Sequence, residues 1–429
     1  MPHRMRNLDT GSLKVGHLKV AVGDRIHIVG ESQPRTVTYV MGFSERGTRC
    51  AVCKGTGDMP VGDIEFAVIP ASAKEPDPSL TSPSPPDSDA CQQGEPEEDS
   101  EKELHPGLPS IVLHADWGKE REKRKQAKAT LGSDGQYLLG AAGPVSSPTE
   151  VLSELSKTIR TKGSALAGFD FAIGLPREYA KRAKVKSFLH VLPDLGKEKW
   201  KDFFSPSRRP EDIALTRPFY PDAPGNSCQE HLTTALGVDC MNDLLRVCER
   251  RTDSRRAGQS IFWLVGGNQV GKGTISGWKE MLQPSLTTPG KAVKLWPFEG
   301  TLPQLLLPGK VVVVETYPAE FYAHFKFTVR KREQASRKAA SKELVKWAEK
   351  SKVKISSELL AQLDDGFGPT KNGEDSFDAV VGLCGMLNIL LGHRVLFEPK
   401  DLAESVNVDV EGWMFGMASP GSAGSTSAK

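Results

Sequence analysis

Acidic residues recur where apolar runs of this sequence end or begin. Asp116 closes "VLHADWG", Asp170 lies in "AGFDFAIGLP", and Glu315 ends the valine run of "VVVVETYP". Asp375 and Asp378 open the apolar segment "EDSFDAV" and, at positions i and i+3, share one face of a helix. Several carboxylates can meet only if cations hold them, and such oxygen ligands suit Mg²⁺ or Mn²⁺. The pattern predicts a two-ion site of the kind that nucleases use for in-line displacement at phosphorus.

Each acidic position also has a plainer explanation. Asp is favoured in turns and as a helix cap. Asp375 or Asp378 alone could therefore be only a cap, and an acidic strand end could be only a turn residue. The combination of several such positions, more than any one of them, carries the prediction of a metal site.

The segment "GGNQVGKGT", residues 266–274, is a second candidate site. Its G-x-x-x-x-G-K spacing is that of a P-loop, in which backbone N–H groups surround a phosphate and the lysine reaches the β and γ oxygens. "SIFWLV" predicts a strand before the loop, and "ISGWKEML" predicts a helix after it. Three interpretations stay open: a nucleotide kinase or NTPase centred on Lys272, a turn where Gln269 and Lys272 contact substrate phosphate, or a plain turn with a solvated lysine.

The elements that would position these residues fall into distinct regions. Residues 1–72 contain short alternating runs bounded by Gly, Ser or Pro, which predict a small SH3-like β-barrel. Residues 73–108 are rich in Pro, Ser and acid, so we expect a flexible linker. Residues 109–417 predict an α/β domain with an inserted helical and irregular segment at about 177–259. The tail, residues 418–429, predicts disorder.

Within the α/β region, the hydrophobic pattern predicts strands and helices in alternation. An unbroken apolar run such as that of "KVVVVETYP" is typical of a strand covered on both faces of its sheet. The final segment, "EDSFDAVVGLCGMLNILLG", predicts a buried helix, and residues 328–363 predict a basic helical stretch. The other predicted strands are "SIVLHADWG", "RKQAKATL", "QYLLGAAG" and "SALAGFDFAIGLP", with a helix at "SPTEVLSELSKTIRTKG".

These motifs resemble a known family. "HADWG", "FDFAIGLP", "ETYPAEFY", "DSFDAVVGL" and the closing "EGWMFG" occur in the order of the domain of unknown function number 429 family, whose members are predicted RNase H-like nucleases. The resemblance covers residues 110–417 and implies a ribonuclease H-like fold: a mixed sheet with an antiparallel first hairpin and helices on both faces. Carried over residue by residue, it implies a catalytic set that binds two Mg²⁺ or Mn²⁺ ions: Asp116, Asp170, Glu315 and one or both of Asp375 and Asp378.

Composition and charge narrow the class of protein. No apolar stretch reaches the roughly 20 residues of a bilayer span, and seven widely spaced cysteines favour a reducing compartment, so we expect a cytoplasmic protein without membrane contact. Residues 75–106 carry a net charge of −9, which leaves +11 on the rest of a chain whose formal net charge is +2. The excess, with basic runs at 119–125, 177–186 and 330–354, favours nucleic acid as the partner, although solubility alone would also explain it.

Two features of the N-terminal region leave alternatives open. Cys50 and Cys53 in "CAVCKGTG" are half of a tetrahedral zinc site or a plain pair of thiols. The barrel could bind nucleic acid or a protein partner, by analogy of fold alone. The sequence as a whole predicts a metal-dependent nuclease that hydrolyses phosphodiester bonds. Its alternatives are a P-loop kinase or NTPase and a non-catalytic nucleic-acid- or partner-binding module.

Overall fold

The computed structural model describes four strands of the N-terminal region and most of the chain after residue 106. The described ranges are residues 25–28, 35–44, 47–52, 66–69 and 107–418, the last without 146, 161, 226, 252–255, 267–269, 288–291, 370–372 and 400–406. The chain divides into two units, Met1–Asp99 and Ser100–Lys429. Residues 73–106 of the predicted linker and 419–429 of the predicted tail lie outside the described residues.

The first unit contains an antiparallel sheet. Its strands follow the order β3-β2-β1-β4: β1 (Arg25–Ile28), β2 (Arg35–Ser44), β3 (Gly47–Val52) and β4 (Phe66–Ile69). Each strand overlaps one of the alternating runs of the sequence, as expected of a chain that places successive side chains on opposite faces. The SH3-like barrel stays a prediction. Cys50 lies in β3, and Cys53 lies outside the described residues, so the structure tests neither interpretation of the pair.

The second unit is built on one mixed sheet. In its described residues the sheet has eight strands: β5 (Ile111–Asp116), β6 (Lys125–Leu131), β7 (Tyr137–Leu139), β8 (Gly143–Pro144), β9 (Ala165–Phe169), β10 (Val293–Leu295), β11 (Val311–Glu315) and β12 (Lys354–Ile355). The order is β10-β11-β9-β5-β6-β7-β12, with β8 also beside β6. Strands β10, β11, β9 and β5 are mutually parallel, and β5, β6 and β7 form an antiparallel meander.

Helices cover both faces of this sheet. They are α1 (Val151–Ile159), α2 (Arg177–Arg182), α3 (Phe188–Val191), α4 (Gln229–Leu236), α5 (Val270–Gly277), α6 (Gln283–Thr287), α7 (Leu302–Leu305), α8 (Pro318–His324), α9 (Gln334–Lys350), α10 (Ser357–Asp365), α11 (Gly373–Leu390) and α12 (Val408–Glu411). A π-helical turn, Trp278–Leu282, joins α5 to α6. None of the helices in the described part of the chain combines the length and apolar character needed to span a bilayer.

Alternate residues of the central strands enter two separate cores. Leu113, Ala167 and Val313 pack with α1 and the 171–298 region on one face. On the other face, Val112, Leu166 and Val312 pack with α8 to α11. Every one of these side chains is at most 4% exposed, which explains why the strand sequences are apolar at consecutive positions.

Some element predictions need correction. "SIFWLV" is not a strand: Ile261 and Phe262 form a turn, and Trp263 makes only an isolated bridge to Tyr220. The run is apolar because its side chains fill the core, and its backbone exchanges two hydrogen bonds with Tyr220 but pairs with no neighbouring strand in the described residues. The basic stretch 328–363 is two helices, α9 and α10, interrupted by β12.

Candidate active site

Three strand ends meet on the face of the sheet that α11 covers. Pairing aligns Ala115 of β5, Phe169 of β9 and Glu315 of β11. The next residue in each strand, Asp116, Asp170 or Thr316, therefore lies at the same level on the opposite face from these three. Asp116 and Asp170 are close together, since the charge of Asp170 raises the pKa of Asp116.

Glu315 faces the other side of the sheet. It shares its parity with Val311 and Val313, and both of its carboxylate oxygens accept hydrogen bonds of 2.6 Å from the buried guanidinium of Arg246. The Ile173 N–H donates a further bond of 2.6 Å to Oε2. Burial raises the pKa of Glu315, although Arg246 opposes the shift. The predicted metal ligand is thus held in an ion pair outside the Asp116–Asp170 group.

The start of α11 brings two more predicted carboxylates to the same group. Asp375 and Asp378 both raise the pKa of Asp116 by their charge. The helix lies close to β5 because Gly382 leaves room for the ring of His114, on which a Cβ would overlap. His114 Nδ1 donates to the Ala379 carbonyl at 3.1 Å, so the proton of its neutral ring lies on Nδ1. This buried contact fixes the helix turn that carries Asp378.

Burial and mutual repulsion dominate the electrostatics of the group. Burial raises the pKa of Asp116 well above its ordinary value, and the charges of Asp170 and Asp378 add to the shift. The pKa of Asp170 rises to about 7, first through burial and then through Asp378. Burial and the charge of Glu374 raise the pKa of Asp375 to about 6. A site that holds so much negative charge gains from any bound cation.

Asp378 has a partner on each oxygen. The Tyr322 hydroxyl of α8 donates to Oδ1, and the Lys331 ammonium donates to Oδ2 at 2.7 Å. Lys331 also lies 3.0 Å from Glu374 Oε1. Lys331 belongs to the basic run at 330–354, and Tyr322 lies in α8 within the motif "ETYPAEFY". Neither residue has a local signal in the sequence that marks it as part of the site.

A cleft of about 360 Å³ opens beside the carboxylates. Three acidic residues line it, Asp116, Glu120 and Asp375, together with three lysines, Lys119, Lys123 and Lys272. Lys123 is paired with Glu120. The predicted substrate-binding Lys272 therefore lies beside the carboxylate group. Gln269 lies outside the described residues.

The glycines of the P-loop-like segment have packing roles in the described residues. Gly271 and Gly273 lie within α5, where a Cβ would overlap the Ile261 and Trp117 carbonyls, respectively. Gly277 lets the ring of Phe171 approach the helix. The Thr274 hydroxyl donates to the Val270 carbonyl at 3.0 Å. With no strand before α5, this geometry favours close helix packing over a phosphate cradle.

One polar group near the strand ends has no partner. Thr316, the β11 residue level with Asp116 and Asp170, is 1% exposed, and its hydroxyl makes no hydrogen bond within the described structure. Among those same residues, no three His, Cys, Asp or Glu side chains are arranged closely enough to form a ready metal site. Asp378 is instead engaged with Lys331 and Tyr322, and the charges of Asp170 and Asp378 repel that of Asp116.

Comparisons with known proteins identified no relative of this chain. No protein-family model, curated protein or solved structure matches this chain. The resemblance to the domain of unknown function number 429 family stays a prediction from the motifs.

Proposed function

We propose that this protein is a metal-dependent nuclease that hydrolyses phosphodiester bonds of nucleic acid. One observation carries the proposal: four carboxylates from two strand ends and one helix start lie close enough to raise one another's pKa, beside a cleft that three lysines also line. They are Asp116, Asp170, Asp375 and Asp378. A phosphodiester needs this combination, because its charge is neutralised from one side while a cation at the carboxylates activates water.

The architecture supports a ribonuclease H-like assignment. The sheet is mixed, its first three strands form an antiparallel meander, and helices cover both faces. These are the features that the motif resemblance implies. Two motif residues support the same assignment, since Asp116 ends β5 and Asp170 directly follows the adjacent parallel strand β9.

The chemistry of the donor set fits Mg²⁺ or Mn²⁺. Asp116, Asp170 and Asp375 would hold the ion, because hard divalent cations prefer carboxylate oxygens. The unpartnered Thr316 hydroxyl is a further polar group at the strand ends. When bound, such an ion lowers the pKa of water and stabilises charge that develops on the phosphate. Lys119, Lys123 and Lys272 would bind the phosphate backbone independently of sequence.

The structure favours the nuclease over the P-loop alternative. The strand predicted before the loop is a turn, and the glycines of α5 pack against neighbouring backbone and rings. A binding module without catalysis differs from a nuclease only in its reaction. Cleavage has to be measured to separate these two.

The test is a cleavage assay of the full chain with Mn²⁺ on single-stranded, double-stranded and hybrid substrates. We expect Asp170→Asn to reduce cleavage by about a thousandfold, because the exchanged group loses its negative charge. Lys272→Ala should reduce cleavage by no more than about tenfold, the effect of one phosphate contact. Asp134→Asn, an exposed aspartate in the turn between β6 and β7, is the matched control.

Three results would reject the nuclease. ATP binding that is lost in Lys272→Ala would favour the kinase. Nucleic-acid binding without cleavage of any substrate would favour the binding module. Cleavage that survives Asp170→Asn at the wild-type rate would show that another site, or a contaminant, performs the reaction.

A further inference from the structure

A lysine already provides a positive charge inside the carboxylate group. The Lys331 ammonium lies 2.7 Å from Asp378 Oδ2 and 3.0 Å from Glu374 Oε1. Its charge also lowers the pKa of Asp116, Asp170 and Asp375, against the repulsion between them. One cation thus acts on every carboxylate of the site.

The backbone at Lys331 is held in place by the side chain of Arg337. Lys331 lies between α8 and α9, and its carbonyl accepts a hydrogen bond of 2.5 Å from Arg337 Nη1. The Arg337 side chain is fully buried and donates to the Gly366 and Gly368 carbonyls as well. Arg337 therefore ties the Lys331 turn to the loop before α11. The side chain of Lys331 remains 42% exposed.

Asp378 is occupied by this arrangement. Tyr322 donates to one of its oxygens and Lys331 to the other, and its side chain is only 4% exposed. A metal ion could bind Asp378 only by displacing one of these donors. Asp116, Asp170 and Asp375 have no such cationic partner within hydrogen-bonding distance in the described structure. A first ion would draw its ligands from these three, whereas a second ion would need Asp378.

We propose that Lys331 takes the place of the second metal ion, so that the site holds one Mg²⁺ or Mn²⁺ and the Lys331 ammonium neutralises the scissile phosphate. The inference rests on the proposed nuclease function and replaces the two-ion arrangement predicted from the sequence.

The reaction balances without a proton from Lys331. The oxygen of a water molecule forms a bond to phosphorus as the phosphorus–oxygen bond to the leaving group breaks. One water proton passes to a carboxylate of the group, and the leaving oxygen takes a proton from solvent. The Lys331 ammonium compensates charge on a non-bridging oxygen throughout and keeps its own three protons.

The deciding experiment counts bound Mn²⁺ on the full chain by electron paramagnetic resonance of the free ion, with no nucleic acid present. We expect the wild type to bind one Mn²⁺ and Lys331→Met, which removes the charge at similar length, to bind two. Lys331→Arg should bind one, because the charge is kept. Arg330→Met is the matched control, since Arg330 is 81% exposed on the same turn and pairs with Glu333. It should bind one.

Cleavage provides the second measurement. Lys331→Met should lose about a hundredfold in kcat at saturating Mn²⁺. Lys331→Arg should lose less activity than Lys331→Met, and Arg330→Met should match the wild type. Two Mn²⁺ on the wild type, or one Mn²⁺ on both the wild type and Lys331→Met, would overturn the inference. So would the absence of binding in both.

The count of ions separates this inference from the nuclease proposal. If the wild type binds one Mn²⁺ and Lys331→Met binds two, Lys331 takes the second position whether or not the chain cleaves nucleic acid. If the wild type cleaves with two ions bound, the nuclease stands and Lys331 has a structural role. Should Lys331→Met fail to fold, the wild-type count alone still decides against the inference when it is two.

Discussion

Two acidic groups lie at the same edge of the sheet, on opposite faces, and they differ in how their charge is compensated. Glu315 is enclosed with Arg246, whose guanidinium donates to both of its oxygens and to Glu249. All three side chains are less than 5% exposed. The aspartate group lies beside a cleft, and its four carboxylates respond to the charge of Lys331, whose side chain is 42% exposed.

The difference separates a structural carboxylate from candidate catalytic ones. A buried charge with a complete set of donors holds the fold, and removing its partner leaves an uncompensated charge. A group with excess charge and raised pKa values destabilises the fold and is expected at a binding or catalytic site. Mutations in the two groups should therefore change stability in opposite directions.

The largest effect should follow loss of the enclosed cation. We expect Arg246→Met to lower the free energy of unfolding by about 3–5 kcal/mol, because Glu315 and Glu249 would remain buried without a partner. Urea unfolding followed by tryptophan fluorescence is suitable, since all seven tryptophans lie after residue 100 and report the second unit. Arg208→Met, which removes an 81% exposed arginine, is the control. A loss below about 1 kcal/mol would mean that the pair is not enclosed.

Removing a charge from the aspartate group should change the free energy of unfolding in the opposite direction. At pH 8 and without metal, Asp170→Asn is expected to raise the free energy of unfolding by about 2 kcal/mol, because it removes a charge from a repelling cluster. The same unfolding experiment with EDTA measures it. Added Mn²⁺ should reverse the order by stabilising only the wild type. A destabilised Asp170→Asn protein would contradict the account of repulsion.

The pH dependence of stability should show the same contrast. In the folded protein the pKa of Asp170 is about 7, above its ordinary value of 3.8, so the folded state binds the proton more tightly. Its contribution to stability is complete below about pH 4 and is lost as pH rises through 7. The difference in stability between the wild type and Asp170→Asn should grow over this range and stay constant above it. Chemical unfolding between pH 4 and 9 tests this, and a constant difference would refute it.

The smallest effect should come from an exposed pair. Lys354 of β12 and Asp134 form a salt bridge with both side chains about half exposed. Solvent and salt screen such pairs, so Asp134→Asn should leave unfolding within experimental error of the wild type. A clear shift in the urea midpoint would show that exposed pairs also contribute, and would weaken the contrast between the two buried groups.

The sequence predicted those site residues whose signal lies in their immediate neighbours along the chain. Apolar runs ending in Asp116 and Asp170, and the apolar helix that follows Asp378, are features of a few adjacent residues, and the structure brings these three together. Adjacent parallel strands then place their ends side by side, which needs no knowledge of loops.

The sequence did not predict the features that depend on a one-residue difference in strand register or on a partner far away along the chain. Glu315 ends its strand one position short of the level of Asp116, so it points to the opposite face, and Thr316 takes the equivalent position. Its partner Arg246 comes from a segment 69 residues away that has no strong periodicity. Lys331 belongs to a basic run whose other members are mostly exposed, and only packing distinguishes it.

The close contact between Gly382 and His114 fixes the position of α11 along β5, and with it the position of Asp378. Asp378 lies four residues before Gly382, about one helical turn of 5.4 Å, so both face β5. An alanine inserted between them would turn Asp378 by about 100° and move it about 1.5 Å along the axis, while the glycine contact holds the rest of the helix in place. The number of residues in that turn, as much as their identity, therefore determines where the carboxylate lies.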